Sequence, residues 1–142
     1  MSTVRICLWH DRLVLSTQEP TMITHLKFVS VPVSDQDRAL AFFTEKLGFR
    51  VATDQPFTDK QRWIELRVGD AETRLVLFTP EGQEDRIGGF FNGSLACDDC
   101  EATYRQLKQR GVEFVSGPKK EPWGTYMVIR DPDSNQFVIG SK

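Results

Sequence analysis

The sequence predicts an α+β fold in which two copies of one βαβββ module form a curved mixed sheet around a cleft. Strand-like alternation and helical periodicity follow each other in the same order twice along the chain. Landmarks of the first half recur 62 to 64 residues later, as Phe28 and Asn92, Gly48 and Gly111, Arg67 and Arg130, and Val76 and Val138. A sheet with a helix on one face needs cover on the other, so two such modules should enclose a cleft.

The first module is expected over residues 22–80. Residues 28–33 alternate with period two, which is typical of a half-buried strand. A helix should begin after Asp35, a frequent capping residue, and end before Gly48. The remaining strands are predicted over residues 49–51, 62–67 and 74–78.

The second module is expected over residues 90–142, in the same order. A strand at 92–97 precedes a helix over residues 102–110, with Asp98 and Asp99 as its cap and Gly111 at its end. A turn at residues 131–135 separates the last two strands. The three strands after the helix are predicted over residues 112–115, 125–130 and 136–139.

Residues 1–21 lack this patterning and are interpreted as an N-terminal extension. Disorder, a non-native start before Met22 and a short strand over residues 4–8 remain open for this segment. The three cysteines are too few for a disulfide framework, and no signal peptide is recognisable. We therefore expect a cytoplasmic protein.

Composition excludes two classes of partner. The chain has 18 basic and 20 acidic residues, a net charge of −2 and no basic cluster, which argues against nucleic acid. No apolar run reaches the roughly 18 residues that a membrane span needs. The expected partner is a small molecule.

Five stretches resemble the vicinal oxygen chelate superfamily, which contains glyoxalases, extradiol dioxygenases, fosfomycin-resistance enzymes and bleomycin-binding proteins. They are V-x-V-S-D-x-x-x-A-x-x-F-F with L-G-F in the first module, then L-A-C-D-D, R-G-V and R-D-P-D-S-N in the second. The resemblance covers residues 22–142 and implies the paired-module fold. It leaves the chemistry open, because this fold hosts many functions.

The resemblance also provides a test for a metal site. Members with metal chemistry carry His, Gln or Glu at four cleft positions, which here fall on Phe28, Val76, Asn92 and Val138. Only Asn92 offers an oxygen, and one amide does not hold a divalent cation. Strand alternation places His25 on the face opposite Phe28, and His10 lies in the extension. We therefore expect neither a metal ion nor another cofactor.

Alternation divides the strand residues into an apolar helix-facing set, which includes Val29 and Cys97, and a cleft-facing set that mixes aromatic and polar groups. Trp63 and Tyr126 hold matching positions in the two modules, where two rings can clamp a planar ligand. The predicted ligand-binding residues are Phe28, Ser30, Trp63, Glu65, Asn92, Trp123, Tyr126 and Arg130. Glu65 can orient the ligand with Arg67 and Arg130, or these three can pair as an internal ionic network.

Two apolar features have alternative interpretations. The segment 117–124 carries Trp123 in an otherwise polar loop, which suits either a lid over the cleft or a dimer contact. Phe90 and Phe91 pose the same choice between the cleft mouth and a subunit contact. The C-x-x-C of Cys97 and Cys100 is not expected to be a redox or metal site, because Cys97 faces the helix beside two carboxylates.

Two functional classes fit these observations. The first is a metal-free cleft that binds a small aromatic or amphipathic molecule, similar to the bleomycin-binding members, which usually form homodimers. The second is a metal-independent lyase or isomerase with Glu65 as general base and Arg67 or Arg130 stabilising an oxyanion. A vestigial cleft, with a dimer interface as the function, is a third possibility. The sequence does not decide whether the protein is an enzyme.

Overall fold

The computed structural model describes residues 3–9, 12–18, 22–89 and 91–142. The first half contains β1 (Thr3–Trp9), β2 (Arg12–Gln18), β3 (Phe28–Pro32), α1 (Gln36–Ala41), β4 (Arg50–Pro56), β5 (Arg62–Arg67) and β6 (Arg74–Phe78). A π-helical turn (Phe42–Lys46) continues α1, and a 3₁₀ turn (Glu84–Arg86) follows β6. The second half contains β7 (Asn92–Ala96), α2 (Cys100–Gln109), β8 (Glu113–Glu121), β9 (Gly124–Arg130) and β10 (Gln136–Ser141).

The strands from β3 onward form two four-stranded sheets with the same topology. The first has the order β3-β6-β5-β4 and the second the order β7-β10-β9-β8. In each sheet the opening strand of the module pairs in parallel with the closing strand, and the other pairs are antiparallel. The predicted α+β fold with two βαβββ modules is therefore confirmed.

The helix-facing sides of both sheets share one hydrophobic core. It includes Val31, Phe43, Ile64, Met127 and Phe137, all 1% exposed or less. The rings of Phe43 and Phe137 meet edge to face at 5.6 Å, which joins the two modules. Val29 points to the same side of β3 as Val31, but it is 36% exposed because β3 lies at the edge of its sheet.

The first helix departs from the single helix that the sequence predicts. The Asp35 side chain accepts a hydrogen bond from the Arg38 amide, as expected for a cap. After Ala41 the helix widens into the π-helical turn, which the Leu47 amide closes by donating to the Phe42 carbonyl. Phe42 and Phe43 are adjacent in sequence, and both are buried. The wider π-helical turn allows both rings to pack into the core.

The turn between β9 and β10 fastens the second module to the first. Asn135 is fully buried, and its Nδ2 donates to the Pro32 carbonyl and to the Asp131 carboxylate at 2.8 Å each. Its Oδ1 accepts from the Gly88 amide at 3.1 Å. Asp133 accepts an ion-paired hydrogen bond from Arg38 at 2.8 Å. The predicted turn at residues 131–135 is therefore also the joint between modules.

The strands β1 and β2 form a separate two-stranded antiparallel sheet in which Thr3 lies opposite Gln18. The short strand considered over residues 4–8 falls within β1. Among the described residues, no helix combines the length and the apolar character that crossing a membrane requires.

Candidate functional site

The register of the first sheet places four predicted residues on one face. Ser30 lies opposite Val76, and Val76 lies opposite Glu65. Phe28 and Trp63 precede Ser30 and Glu65 by two residues in their strands, so their side chains point the same way. This face, opposite the shared core, is the first cleft face.

Glu65 is the polar centre of the first cleft face. One carboxylate oxygen accepts from Trp63 Nε1 at 2.8 Å, and the other accepts from Arg74 Nη1 at 2.8 Å. The hydrogen bond from Trp63 lowers the pKa of Glu65 most, against an opposing effect of burial, and Arg74 lowers it further. Glu65 is therefore ionised at neutral pH, with both oxygens engaged.

The cationic partner of Glu65 is thus Arg74, which the sequence analysis did not select. Arg67 is exposed at the end of β5, opposite Arg50. Arg130 pairs instead with Glu113 of β8 at 3.1 Å on an exposed surface. Alternation along β6 predicts that Arg74 shares a face with Val76, but pairing Arg74 with Glu65 also requires the register of the two strands.

An aromatic cluster surrounds Trp63. Its ring meets Phe28 edge to face at 5.4 Å and Phe57 at the same distance with a 60° tilt. Phe57 follows β4 and is 62% exposed, and the sequence analysis did not select it. Trp63 Nε1 also donates to Glu65, so the cluster is held by both ring contacts and a polar contact.

The second sheet presents a separate aromatic pair on its own cleft face. Trp123 stacks on Tyr126 with ring centroids 5.5 Å apart and an angle of 22° between the planes. Trp123 is 65% exposed, so one face of the pair is open to solvent. Such an exposed flat ring can stack on a planar ligand.

Trp123 lies at the tip of a hairpin rather than in the loop predicted over 117–124. The strand β8 extends to Glu121, and Glu121 lies opposite Gly124. A register shift between Ser116 and Lys119 accommodates Pro118, which has no amide hydrogen for the ladder. The expectation of an irregular loop is therefore wrong, because one bulge absorbs the proline while the pairing resumes beyond it.

A cavity of about 400 Å³ lies between the opening strands of the two modules. It brings together Ser30 of β3 and Asn92 of β7, two of the predicted ligand-binding residues. Phe91 also lines it, whereas Phe90 lies outside the described residues. Its other lining residues include Pro32, Phe78 and Pro80, so an apolar wall faces a few polar groups.

The residues at the four metal positions of the family do not fit a cation. Phe28 packs on Trp63, and Val76 is 1% exposed and apolar. Val138 lies opposite Ser94 and Val128, and Asn92 is the one oxygen donor of the four. In the part of the chain that the structure describes, no group of three or more His, Cys, Asp or Glu side chains is placed to hold a metal ion.

Comparison with known proteins agrees with this architecture. The sequence profile of the Glyoxalase/Bleomycin resistance protein/Dioxygenase superfamily matches residues 23–139. The crystal structure of UcmS2 is 38% identical with a TM-score of 0.77, over 85% of this chain and 100% of that one. TnmS3, an antibiotic binding protein from Streptomyces sp. CB03234, is 36% identical with a TM-score of 0.74, over 86% of this chain and 98% of that one.

A curated relative extends the comparison to another genus. The uncharacterized protein YetH of Bacillus subtilis (strain 168) is 36% identical over 121 residues, which cover 83% of this chain and 98% of YetH. The family match spans nearly the whole of both modules. This chain belongs to the Glyoxalase/Bleomycin resistance protein/Dioxygenase superfamily.

Proposed function

We propose that this protein binds a small planar aromatic or amphipathic molecule of the antibiotic class and sequesters it without a metal ion. The observation that carries the proposal is the pair of aromatic clusters, Phe28–Trp63–Phe57 and Trp123–Tyr126, one on the cleft face of each sheet. Stacking on such rings requires no cofactor and suits flat ligands of varied structure.

The polar groups of the first cleft face support binding rather than general-base catalysis. Both oxygens of Glu65 already accept hydrogen bonds, from Trp63 and Arg74. These contacts lower the pKa of Glu65, whereas a general base works best with a pKa near the operating pH. The lyase or isomerase alternative is therefore the less well supported of the two.

The similarity to TnmS3 supports the choice of ligand class. That protein is an antibiotic binding protein, and it is 36% identical to this chain over 98% of its own length. Bound antibiotics would have to be accommodated here by residues such as Trp63 and Trp123. The ligand-binding residues predicted from the sequence remain part of this proposal.

We also propose that the protein is a cytoplasmic homodimer in which a second copy covers the open edge at β3. Apolar side chains are exposed along this edge, namely Leu26 and Val29, although Val29 lies in the core-facing register of its strand. A second copy that packs there would remove this apolar surface from water.

The proposal is tested by titrating metal-stripped protein with doxorubicin and with bleomycin while following tryptophan fluorescence. Binding should quench the emission saturably in the presence of EDTA, and chromatography should return the compound unchanged. Glu65→Gln provides the test for turnover. A compound that is altered by the wild type and not by Glu65→Gln, with similar affinity for both, would establish an enzyme instead.

A further inference from the structure

Two cysteines meet where β7 ends and α2 begins. Cys97 follows β7, Cys100 is the first residue of α2, and their sulfur atoms are 3.6 Å apart. The Cys97 amide donates to the Gly140 carbonyl at 2.9 Å, and the Asp99 carboxylate caps the Ala102 amide at 3.1 Å. Both sides of the short loop are therefore anchored, so the two sulfurs are held near each other by the fold.

The Sγ–Sγ distance of 3.6 Å is close to that of two sulfur atoms in van der Waals contact. A disulfide bond is about 2.0 Å long, so each sulfur has to move by less than about 1 Å to form one. Rotation about the Cα–Cβ bonds provides a movement of this size without rearranging a strand or helix.

We propose that Cys97 and Cys100 are a thiol pair that closes to an intramolecular disulfide by exchange with a low-molecular-weight disulfide. The Cys97 thiolate attacks the disulfide RSSR, which forms a mixed disulfide on Cys97 and releases RS⁻. Cys100 then loses its proton and attacks the Cys97 sulfur, which releases the second RS⁻. Two protein thiols are oxidised, and one RSSR is reduced to two RSH.

Accessibility decides the order of attack. Cys100 is 2% exposed, whereas Cys97 is partly exposed, so the external disulfide reaches Cys97 first. Burial raises the pKa of Cys97, and Cys100 and Asp98 raise it further. The pair is therefore held as thiols in reducing surroundings and reacts slowly, which suits a response to sustained oxidation rather than rapid turnover.

The pair is connected to the aromatic side chains of the second sheet. The Cys100 thiol donates to the Thr125 carbonyl at 3.2 Å, and Thr125 directly precedes Tyr126 in β9. Cys97 and Trp123 line one surface cavity of about 600 Å³. Because a disulfide has no S–H, oxidation removes the hydrogen bond that supports β9 next to the Trp123–Tyr126 pair.

The first test counts free thiols after incubation of the reduced 142-residue chain with oxidised glutathione. The chain has three cysteines, and trypsin releases residues 87–105 as one peptide that contains Cys97 and Cys100. After unfolding and maleimide labelling, that peptide should carry no maleimide. Its mass should be that of the reduced, unlabelled peptide minus two hydrogens. A peptide that remains fully labelled, carries glutathione without closing, or is linked to a second chain would overturn the proposal.

Two variants locate the attacking sulfur. Cys100→Ser should stop at a glutathione adduct on Cys97, and Cys97→Ser should leave Cys100 unmodified in the folded protein. Cys7→Ser is the matched control and should close the disulfide as the wild type does. Adduct formation at Cys100 in folded Cys97→Ser would contradict the assigned order.

The second test measures the effect on Trp123. Oxidation should change the tryptophan emission of the wild type and of Trp63→Phe, but not that of Trp123→Phe. The Trp63→Phe variant is the matched control because it removes an indole from the other sheet. An oxidation-dependent change that persists in Trp123→Phe would refute the coupling to the aromatic pair.

Discussion

Glu65 holds two side chains of the first cleft face in place, because its carboxylate oxygens accept hydrogen bonds from Trp63 and from Arg74. Alternation along β5 places it on the cleft face beside Trp63. Its partner comes from β6, and identifying a cross-strand partner requires the register, which residue types alone do not specify. In the structure the Glu65 carboxylate accepts hydrogen bonds from an indole of its own strand and from an arginine of the neighbouring strand.

Substitution of Glu65 by Gln should destabilise the fold in a pH-dependent manner. The folded pKa of Glu65 is lowered, so its contribution is present above the unfolded value of about 4.3 and is lost as pH falls through the folded pKa. Urea unfolding of wild type and Glu65→Gln should therefore differ at pH 7, and the difference should shrink as the pH falls below about 4.3.

Glu113→Gln is the matched control for this experiment. Its pair with Arg130 is exposed, with 64% of the Glu113 side chain accessible, against 15% for Glu65. Exposed ion pairs contribute about 1 kcal/mol or less, so Glu113→Gln should have the smaller effect at pH 7. Equal effects of the two substitutions would contradict the structural role of Glu65.

Asn135 is the residue on which the joint between modules depends most. Replacement by Ala leaves the Pro32 carbonyl and the Gly88 amide without their partner, and removes one of the hydrogen bonds that counter the burial-raised pKa of Asp131. We expect a loss of about 3 kcal/mol in the free energy of unfolding, measured with urea. Asn92→Ala, at an exposed position, should change it by less than about 0.5 kcal/mol.

For the helices and strands, sequence patterns predicted their order and type better than the residues at which they end. Alternation located β3 and β5, and capping residues located the start of both helices. They missed the extension of β8 to Glu121 and of β4 to Pro56, because these segments contain proline and polar residues. Pairing with a neighbouring strand overrides such local preferences, and the partner is visible only in three dimensions.

Substitutions at two glycines test how the segment between β6 and β7 packs on the turn between β9 and β10. Gly82 and Gly88 share a φ of 78°, so Ala introduces similar backbone strain at either site. A Cβ at Gly88 would lie 2.3 Å from the Asp133 carbonyl oxygen, whereas nothing lies within 4 Å at Gly82. Gly88→Ala should therefore cost at least about 2 kcal/mol more than Gly82→Ala in thermal or urea unfolding.

At the scale of the whole molecule, the two modules share one core on their helix-facing sides, while each carries an aromatic cluster on its cleft face. The repeat in the sequence predicted this duplication and the order of the elements along the chain. It did not foretell how the modules are joined, because the joint consists of buried hydrogen bonds from Asn135 that have no counterpart in the repeat pattern.

The proposed homodimer is tested by multi-angle light scattering. Val29→Glu on β3 should shift the protein to a monomer, because the charge would enter the proposed interface. Val51→Glu is the control on the opposite edge of the same sheet, where Val51 is 48% exposed. A monomeric wild type, or an equal effect of both substitutions, would contradict the proposed interface at β3.

Aromatic side chains, and no metal ion, bind the ligand in the proposed function. Isothermal titration calorimetry of EDTA-treated protein with the best quenching compound tests it most directly, for the wild type, Trp63→Ala and Trp123→Ala. Loss of a stacking partner worth about 1 to 1.5 kcal/mol should raise the Kd roughly tenfold in each variant. The wild-type Kd should be the same with EDTA and with added zinc. Binding that appears only with the divalent ion, or that survives both substitutions unchanged, would contradict it.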